Sequence, residues 1–242
     1  MRAVVTGASS GIGQATAKAL AAAGYEVICA ARRSERIEAL AAEIGGRAVT
    51  CDVTDPADVK VLAEIAGAKV DVLVNDAGGA FGLAPVAEAD LTDWQKMYSV
   101  NVIGAAQVTQ ALLPALTEAH GVIVFVTSTA ADAGYEGGAG YCGAKAAERM
   151  MVESLRLELY DKPVRITEIC PGMVKTAEFS LKRLGDQAKA DAVYSGVPNP
   201  LTAEDIADAI TFMATAPEHV NIDRLTIRPR AQAAQYKVYR ES

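Results

Sequence analysis

The stretch GYCGAKAAERMMVESL (residues 140–155) sets Tyr141 four residues before Lys145 in a segment of helical character. Residues four apart share one face of a helix, so a phenol and an ammonium placed this way act on the same small volume. A free phenol titrates near pH ~10 and is a poor base at neutrality; a cation fixed beside it favours the phenolate and eases proton exchange. Alone, the Y-x-x-x-K spacing is weak evidence, because it arises readily by chance. Each residue also has an ordinary reading, a surface phenol and a solvated charge. The surrounding sequence decides between them.

A second stretch points to an anion. The first apolar run leads into TGASSGIGQATAKAL, with Gly7, Gly11 and Gly13 between strand and helix. Glycine tolerates positive φ and lets a dinucleotide pyrophosphate approach the backbone closely. A helix beginning near Gly11 offers unpaired N–H groups and a positive dipole end to such an anion. The G-x-x-x-G-x-G spacing differs from the commoner G-x-G-x-x-G, and its position after the first strand gives it weight. Farther on, the second strand ends CAARRSERIEAL, with no carboxylate at Ala30 or Ala31 and with Arg32 and Arg33 following. A nicotinamide cofactor without a 2′-phosphate usually meets an acid there, whereas a guanidinium matches the phosphorylated form through paired hydrogen bonds. NADP(H) is therefore the expected cofactor.

The elements that must position these groups alternate along the chain. Strands are expected at 2–6, 25–30, 47–51, 70–74, 121–127, 164–170 and 223–227. Several of these runs are continuously apolar, as in strands covered on both faces. Amphipathic helical stretches lie at 11–23, 34–44, 92–118, 139–161 and 203–215. Such alternation predicts an α/β fold, a single Rossmann-type doubly wound domain over 1–242 with about seven parallel strands and helices on both faces. No linker or repeat divides the chain. The irregular piece at roughly 172–200 is read as a substrate lid or a plain surface excursion, and the tail 228–242 as a segment able to pack on a neighbouring subunit.

Composition narrows the function classes. With 242 residues and 51% hydrophobic content the chain can bury a substantial core, and at 5% aromatic residues that core must rely on Ala, Val, Ile and Leu. A net charge of −7 argues against a nucleic-acid partner. Apolar runs fall short of a membrane span, so no membrane partner is expected. Cys29, Cys51, Cys142 and Cys170 show no zinc or C-x-x-C spacing, His120 and His219 stand apart, and no metal site is expected. Reduced thiols and the lack of a basic-then-apolar leader suggest a cytoplasmic setting.

The motifs TGASSGIG (6–13), CDVTD (51–55), NDAG (75–78), Asn101 in YSVNVIG, VTSTA (126–130), YCGAK (141–145) and CPGMVKT (170–176) fall at successive strand ends in order. Together they make the chain resemble the short-chain dehydrogenase/reductase family over nearly its whole length. PGMVKTAEFSLKR and APEHVNIDRLTIRP are similar to its branch of NADP-dependent 3-hydroxy acid (serine, allo-threonine) dehydrogenases. The resemblance implies cofactor contacts from Gly7, Ser9, Ser10, Gly11, Ile12 and Gly13 at the pyrophosphate and ribose, and from Arg32 and Arg33 at the 2′-phosphate. It also implies Asp52 and Val53 at the adenine, Asn75, Ala77 and Gly78 along the groove, and Pro171, Gly172, Val174 and Thr176 at the nicotinamide end. Tyr141 and Lys145 would meet the nicotinamide ribose as well. Ser128, 13 residues before Tyr141, would bind the substrate oxygen; the spacing favours it over Thr127 and Thr129. Asn101 would hold a water behind the lysine, completing an Asn101–Ser128–Tyr141–Lys145 tetrad. Arg183 would bind a substrate carboxylate, and Tyr135 and Phe179 would form an apolar wall. One departure is Asp76, where the family has a second asparagine.

The implied function is interconversion of a hydroxyl and a carbonyl on a small substrate by hydride transfer, with Tyr141 as acid and base. A 3-hydroxy acid, a 2-amino-3-hydroxy acid or a semialdehyde is the expected substrate, and a dimer or tetramer the expected assembly. The alternatives are a reductase of another ketone or of a 3-oxoacyl carrier thioester, and a non-catalytic NADPH-binding redox sensor.

Overall fold

The computed structural model describes residues 1–241. Its elements run β1 (Arg2–Thr6), α1 (Gly11–Ala22), β2 (Glu26–Ala31), α2 (Ser34–Ile44), β3 (Arg47–Thr50), α3 (Pro56–Ala66) and β4 (Val72–Asn75). They continue through α4 (Leu91–Tyr98), α5 (Ala105–Glu118), β5 (Val122–Val126), α6 (Ala139–Glu158) and β6 (Arg165–Pro171). The chain closes with α7 (Phe179–Leu184), α8 (Gln187–Ala192), α9 (Ala203–Ala214), β7 (Arg224–Ile227), β8 (Gln232–Ala234) and β9 (Lys237–Val238). Seven parallel strands form one sheet in the order β3-β2-β1-β4-β5-β6-β7.

The order explains where a site can form. The chain builds outward from β1 through β2 to β3, then crosses back to place β4 on β1's other side. Helices leave in opposite directions at this switch, so a crevice opens beyond the carboxyl ends of β1 and β4. Both faces of the sheet are covered, which is why β4 and β5 are buried along their full length. On one face Leu20 of α1, Ile37 and Leu40 of α2, and Ile206, Ile210 and Met213 of α9 pack over Val5, Val27, Val74 and Val124. On the other, Leu62 of α3, Val108, Leu112 and Leu116 of α5 and Val152 of α6 cover Val4, Ile28, Leu73 and Ile123.

The expected helix over 92–118 is continuous but not uniform. Residues Ser99–Gly104 form a π-helical turn between α4 and α5, and Asn101 sits inside it. Its Nδ2 donates to the Met97 carbonyl at 2.7 Å, so a side-chain amide serves a backbone acceptor where the regular ladder shifts. By length and apolar content alone, Leu91–Glu118 would pass for a membrane-crossing helix. Here its apolar residues Met97, Val108, Leu112 and Leu116 are buried within the protein. Helix α3, absent from the expected set, starts from an Asp55 cap that accepts from the Ala57 N–H, with Pro56 in its first turn. The tail forms the β8–β9 hairpin and returns to its own chain: Arg240 Nη2 donates to the Val193 carbonyl at 3.0 Å.

The glycine turn is tightly constrained. Gly7 has φ +70°, and a Cβ on Gly13 would lie 2.7 Å from the Gly7 carbonyl oxygen and 2.6 Å from Asp76 Oδ2. Gly13→Ala is therefore expected to lower the unfolding midpoint by several degrees. Gly143→Ala is the control: it is exposed in α6 with nothing within 4 Å of its new methyl. It should raise stability by about 0.5–1 kcal/mol. Thermal unfolding of the two variants checks both signs.

Candidate active site

The crevice at the β1–β4 switch is floored by two loops stitched together by one side chain. Thr6 Oγ1, at the end of β1, accepts from the Asp76 and Ala77 N–H groups at 3.1 and 3.0 Å. Ser10 precedes α1 without a side-chain cap, and no acid lies in that helix's first turn. The Gly13 N–H serves the Asp76 carboxyl, and the N–H groups before it are left for an anion. Thr176 closes the other side, its Cγ2 3.5 Å from where a Cβ of Gly11 would lie.

Beside this turn Arg33 is held on two sides. Its Nε and Nη2 donate to Ser9 Oγ at 3.1 and 2.8 Å, and Nη2 also to Ser10 Oγ at 2.9 Å. Nη1 pairs with both oxygens of Glu178, at 2.9 and 2.8 Å. Glu178, just before α7, also meets Arg36 and Lys182. Burial works against its charge, but hydrogen bonds from Lys182, Arg36 and Arg33 hold the carboxyl well below the usual range. Arg32, by contrast, is largely exposed and lies 3.9 Å from Asp52. Of the two arginines expected at the 2′-phosphate, Arg33 is the one fixed against the glycine turn. Val53, at the same rim, packs toward Gly104 and receives a bond from Gln107 on its carbonyl.

The loop after β4 divides its work. Asn75 turns away from the crevice toward α5, where its Nδ2 donates to Thr109 Oγ1 at 3.0 Å. Asp76 lies half-buried against Gly7 and Gly13. Burial pushes its carboxyl up to about 8, while the Lys145 cation and the Gly13 backbone pull the other way. A protonated carboxyl has one O–H to donate, which brings it closer to the amide it replaces. Gly78 passes so near Asn101 that a Cβ would sit 2.5 Å from Oδ1.

Tyr141 and Lys145 lie one turn apart on α6, both buried. Lys145 Nζ donates to the Val126 carbonyl at 2.9 Å and to Glu148 Oε2 at 2.7 Å. Burial opposes its charge, yet Glu148, Tyr141 and Asp76 hold the ammonium above the ordinary lysine range. Gly79 N–H donates to Asn101 Oδ1 at 3.3 Å, and Asn101 Nδ2 returns a bond to the Gly79 carbonyl at 2.9 Å. Ser128, Thr127 and Thr129 separate clearly. Thr127 is buried and donates to Glu168 at 2.6 Å; Thr129 is buried and donates to Gln235 at 2.8 Å. Only Ser128 is half-exposed.

Over Tyr141 sits the segment after β6. The Phe179 ring meets the Tyr141 ring edge-on at 5.9 Å. Arg183 Cζ is 5.5 Å from the Tyr141 ring and 5.4 Å from the Tyr135 ring, and its Nη1 donates to the Tyr135 hydroxyl at 2.8 Å. Pro171 ends β6 with its carbonyl 3.5 Å from Ser128 Oγ, Gly172 N–H donates to the Ile227 carbonyl, and Val174 pairs with Leu201. Gln232 of the tail accepts from the Met173 N–H at 2.8 Å. The sequence reading missed Glu148, Glu178, Gln232 and Gln235. The cysteines are free; burial raises Cys29 and Cys170 to about 11 and Cys51 to about 12, leaving inert thiols.

A model of the short chain dehydrogenase family matches residues 1–185. The chain belongs to that family. It is 58% identical over 234 residues to an uncharacterized oxidoreductase of Mycobacterium tuberculosis, spanning 96% of this chain and 92% of the relative. A serine 3-dehydrogenase of Rhizobium radiobacter is 45% identical over 246 residues, spanning 99% and 98%. Among solved structures, the closed form of serine dehydrogenase complexed with NADP+ has a TM-score of 0.93 at 36% identity, covering 100% of both chains.

Asp76 gives a pH test with a definite sign. Its proton is held more tightly in the folded than in the unfolded state, so stability from this group falls as pH rises from about 4 to about 8. Asp76→Asn removes that slope. Its unfolding midpoint should exceed the parent's by roughly 4 °C at pH 8 and converge toward it below pH 5.

Proposed function

We propose that the protein is an NADP(H)-dependent oxidoreductase that interconverts a hydroxyl and a carbonyl on a small 3-hydroxy acid, 2-amino-3-hydroxy acid or semialdehyde. The observation that carries the substrate class is the Arg183 guanidinium stationed 5.5 Å from the Tyr141 ring. A planar cation beside a proton-exchanging phenol suits a molecule with a carboxylate a short distance from its reacting carbon. The NADP+-bound serine dehydrogenase and the serine 3-dehydrogenase relative support the same class.

The crevice fits NADP(H) on its own terms. Its glycine turn would be filled by any Cβ at Gly13, α1 starts uncapped, and Arg33 offers a donor fork where a 2′-phosphate would displace Glu178. Gly7, Ser9, Ser10, Gly11, Ile12 and Gly13 would hold the pyrophosphate end, and Thr176 and Val174 the nicotinamide end. When bound, the cofactor supplies or accepts the hydride.

The remaining steps belong to the chain. Ser128, the half-exposed hydroxyl, donates to the substrate oxygen. Tyr141 gives that oxygen its proton during reduction and takes it back during oxidation. The Lys145 charge favours the phenolate and its remaining N–H would hold the cofactor ribose, and Asn101 would hold the water that refills the proton path. Phe179 and Arg183 cover the phenol and limit water at the reacting carbon.

A kinetic screen of hydroxy acids and semialdehydes with NADP(H) tests this reading. Acids should turn over with much the lower KM, and Arg183→Leu should raise that KM by about 10–100-fold while leaving the slower turnover of small neutral aldehydes unchanged. Equal losses on both would remove the carboxylate role. Arg33→Ala should weaken NADPH at least about tenfold more than NADH, read by cofactor fluorescence titration.

A further inference from the structure

Lys145 is not alone in its pocket. Three residues farther along α6 lies Glu148, and the side chains of both are under one-tenth exposed. Nζ donates to Glu148 Oε2 at 2.7 Å and to the Val126 carbonyl at 2.9 Å. An ammonium has three N–H groups, so a single donor remains for everything else Lys145 must do. A buried carboxylate in contact with a buried ammonium is also a charge that any nearby ionisation feels with little screening.

We propose that Glu148 is a positioning residue: from the same helix it holds the Lys145 ammonium that the Val126 carbonyl also accepts from, and, by its negative charge, limits how far that cation drives Tyr141 toward the phenolate. The proposal rests on the assignment of Tyr141 and Lys145 as the proton-exchanging pair. It adds a residue whose charge acts on that pair through the ammonium.

The charged groups around Glu148 come from several elements. Lys145 and Tyr141 share its helix, Asp76 approaches Lys145 from the loop after β4, and Glu168 faces it from β6. Glu168 is itself buried. Thr127 Oγ1 and Cys170 Sγ donate to its Oε1 at 2.6 and 3.1 Å, while Oε2 has only the Arg224 Nε at 3.5 Å. Asp76 and Glu148 thus share the Lys145 ammonium, while Glu168, paired with Arg224, adds a second negative charge near Glu148. Burial accordingly pushes Glu148 up to about 7, with Lys145 opposing. When charged, Glu148 competes with Tyr141 for the Lys145 charge.

A purely structural Glu148 would fill space and satisfy Lys145 without altering the ionisation of the phenol, and this distinction is measurable without substrate. The tyrosinate absorbance of the protein is titrated against pH, and the step that disappears in Tyr141→Phe is assigned to that ring. In Glu148→Gln, which keeps an acceptor of the same shape but no charge, the step should move to lower pH by about one unit. Glu148→Met, also uncharged, should move it the same way, and Glu148→Asp should leave it near the parent position. A step that stays in place in either neutral variant, or shifts equally in the Asp variant, overturns the proposal. Because the reading needs no turnover, it is independent of the substrate screen: an inactive parent would refute the proposed function while this titration still decided the role of Glu148.

Discussion

Holding an ammonium away from water is the constraint around which the rest of the site is arranged. Lys145 is buried between the end of β5 and helix α6, where a cation persists only if acceptors surround it. Val126 supplies a carbonyl and Glu148 a carboxylate. The Val126 bond ties α6 to the sheet at one register, because a shift of one residue along either would cost the ammonium that acceptor. Tyr141 inherits its position from the same helix, one turn away. Phe179 and Arg183 then complete the enclosure from the segment after β6.

The opposite wall follows from close backbone approach. The Gly7–Gly13 turn lets β1 and α1 come near enough to the loop after β4 for Thr6 to bridge them. Asp76 fills what little space remains, and its environment disfavours its charge. Anion-attracting groups therefore cluster at the α1 end, while the buried acids cluster behind Lys145. A dinucleotide lying between them would place its phosphates at the first and its nicotinamide near the second, the polarity expected of a crevice at a strand-order switch.

Much of this was legible in the sequence, for physical reasons that can be named. The seven sheet strands were readable because most are β-branched or apolar runs bounded by polar or glycine-containing turns, and their termini fall within about two residues of the expected bounds. The choice of Ser128 over its threonine neighbours rested on spacing, and the structure adds that Thr127 and Thr129 are occupied elsewhere. Other features left no trace. The π-helical turn at Ser99–Gly104 keeps the same amphipathic face as the helices beside it, so periodicity could not reveal it. Glu148 reads as one more acid on a charged helix, since only the tertiary fold buries it. Glu178 becomes significant when a distant segment brings it onto Arg33, and Gln232 and Gln235 when the tail returns under β6.

If Tyr141 exchanges the proton, cofactor binding and turnover must separate when its hydroxyl is removed. NADPH binding by fluorescence and NADPH consumption with a turned-over carbonyl substrate should be measured on the same preparations of parent and Tyr141→Phe. Loss of the hydroxyl alone is predicted to slow consumption by about 10²–10⁴-fold while the dissociation constant stays within about threefold. A variant that keeps turnover within tenfold of the parent, or that loses binding and turnover together, would contradict it.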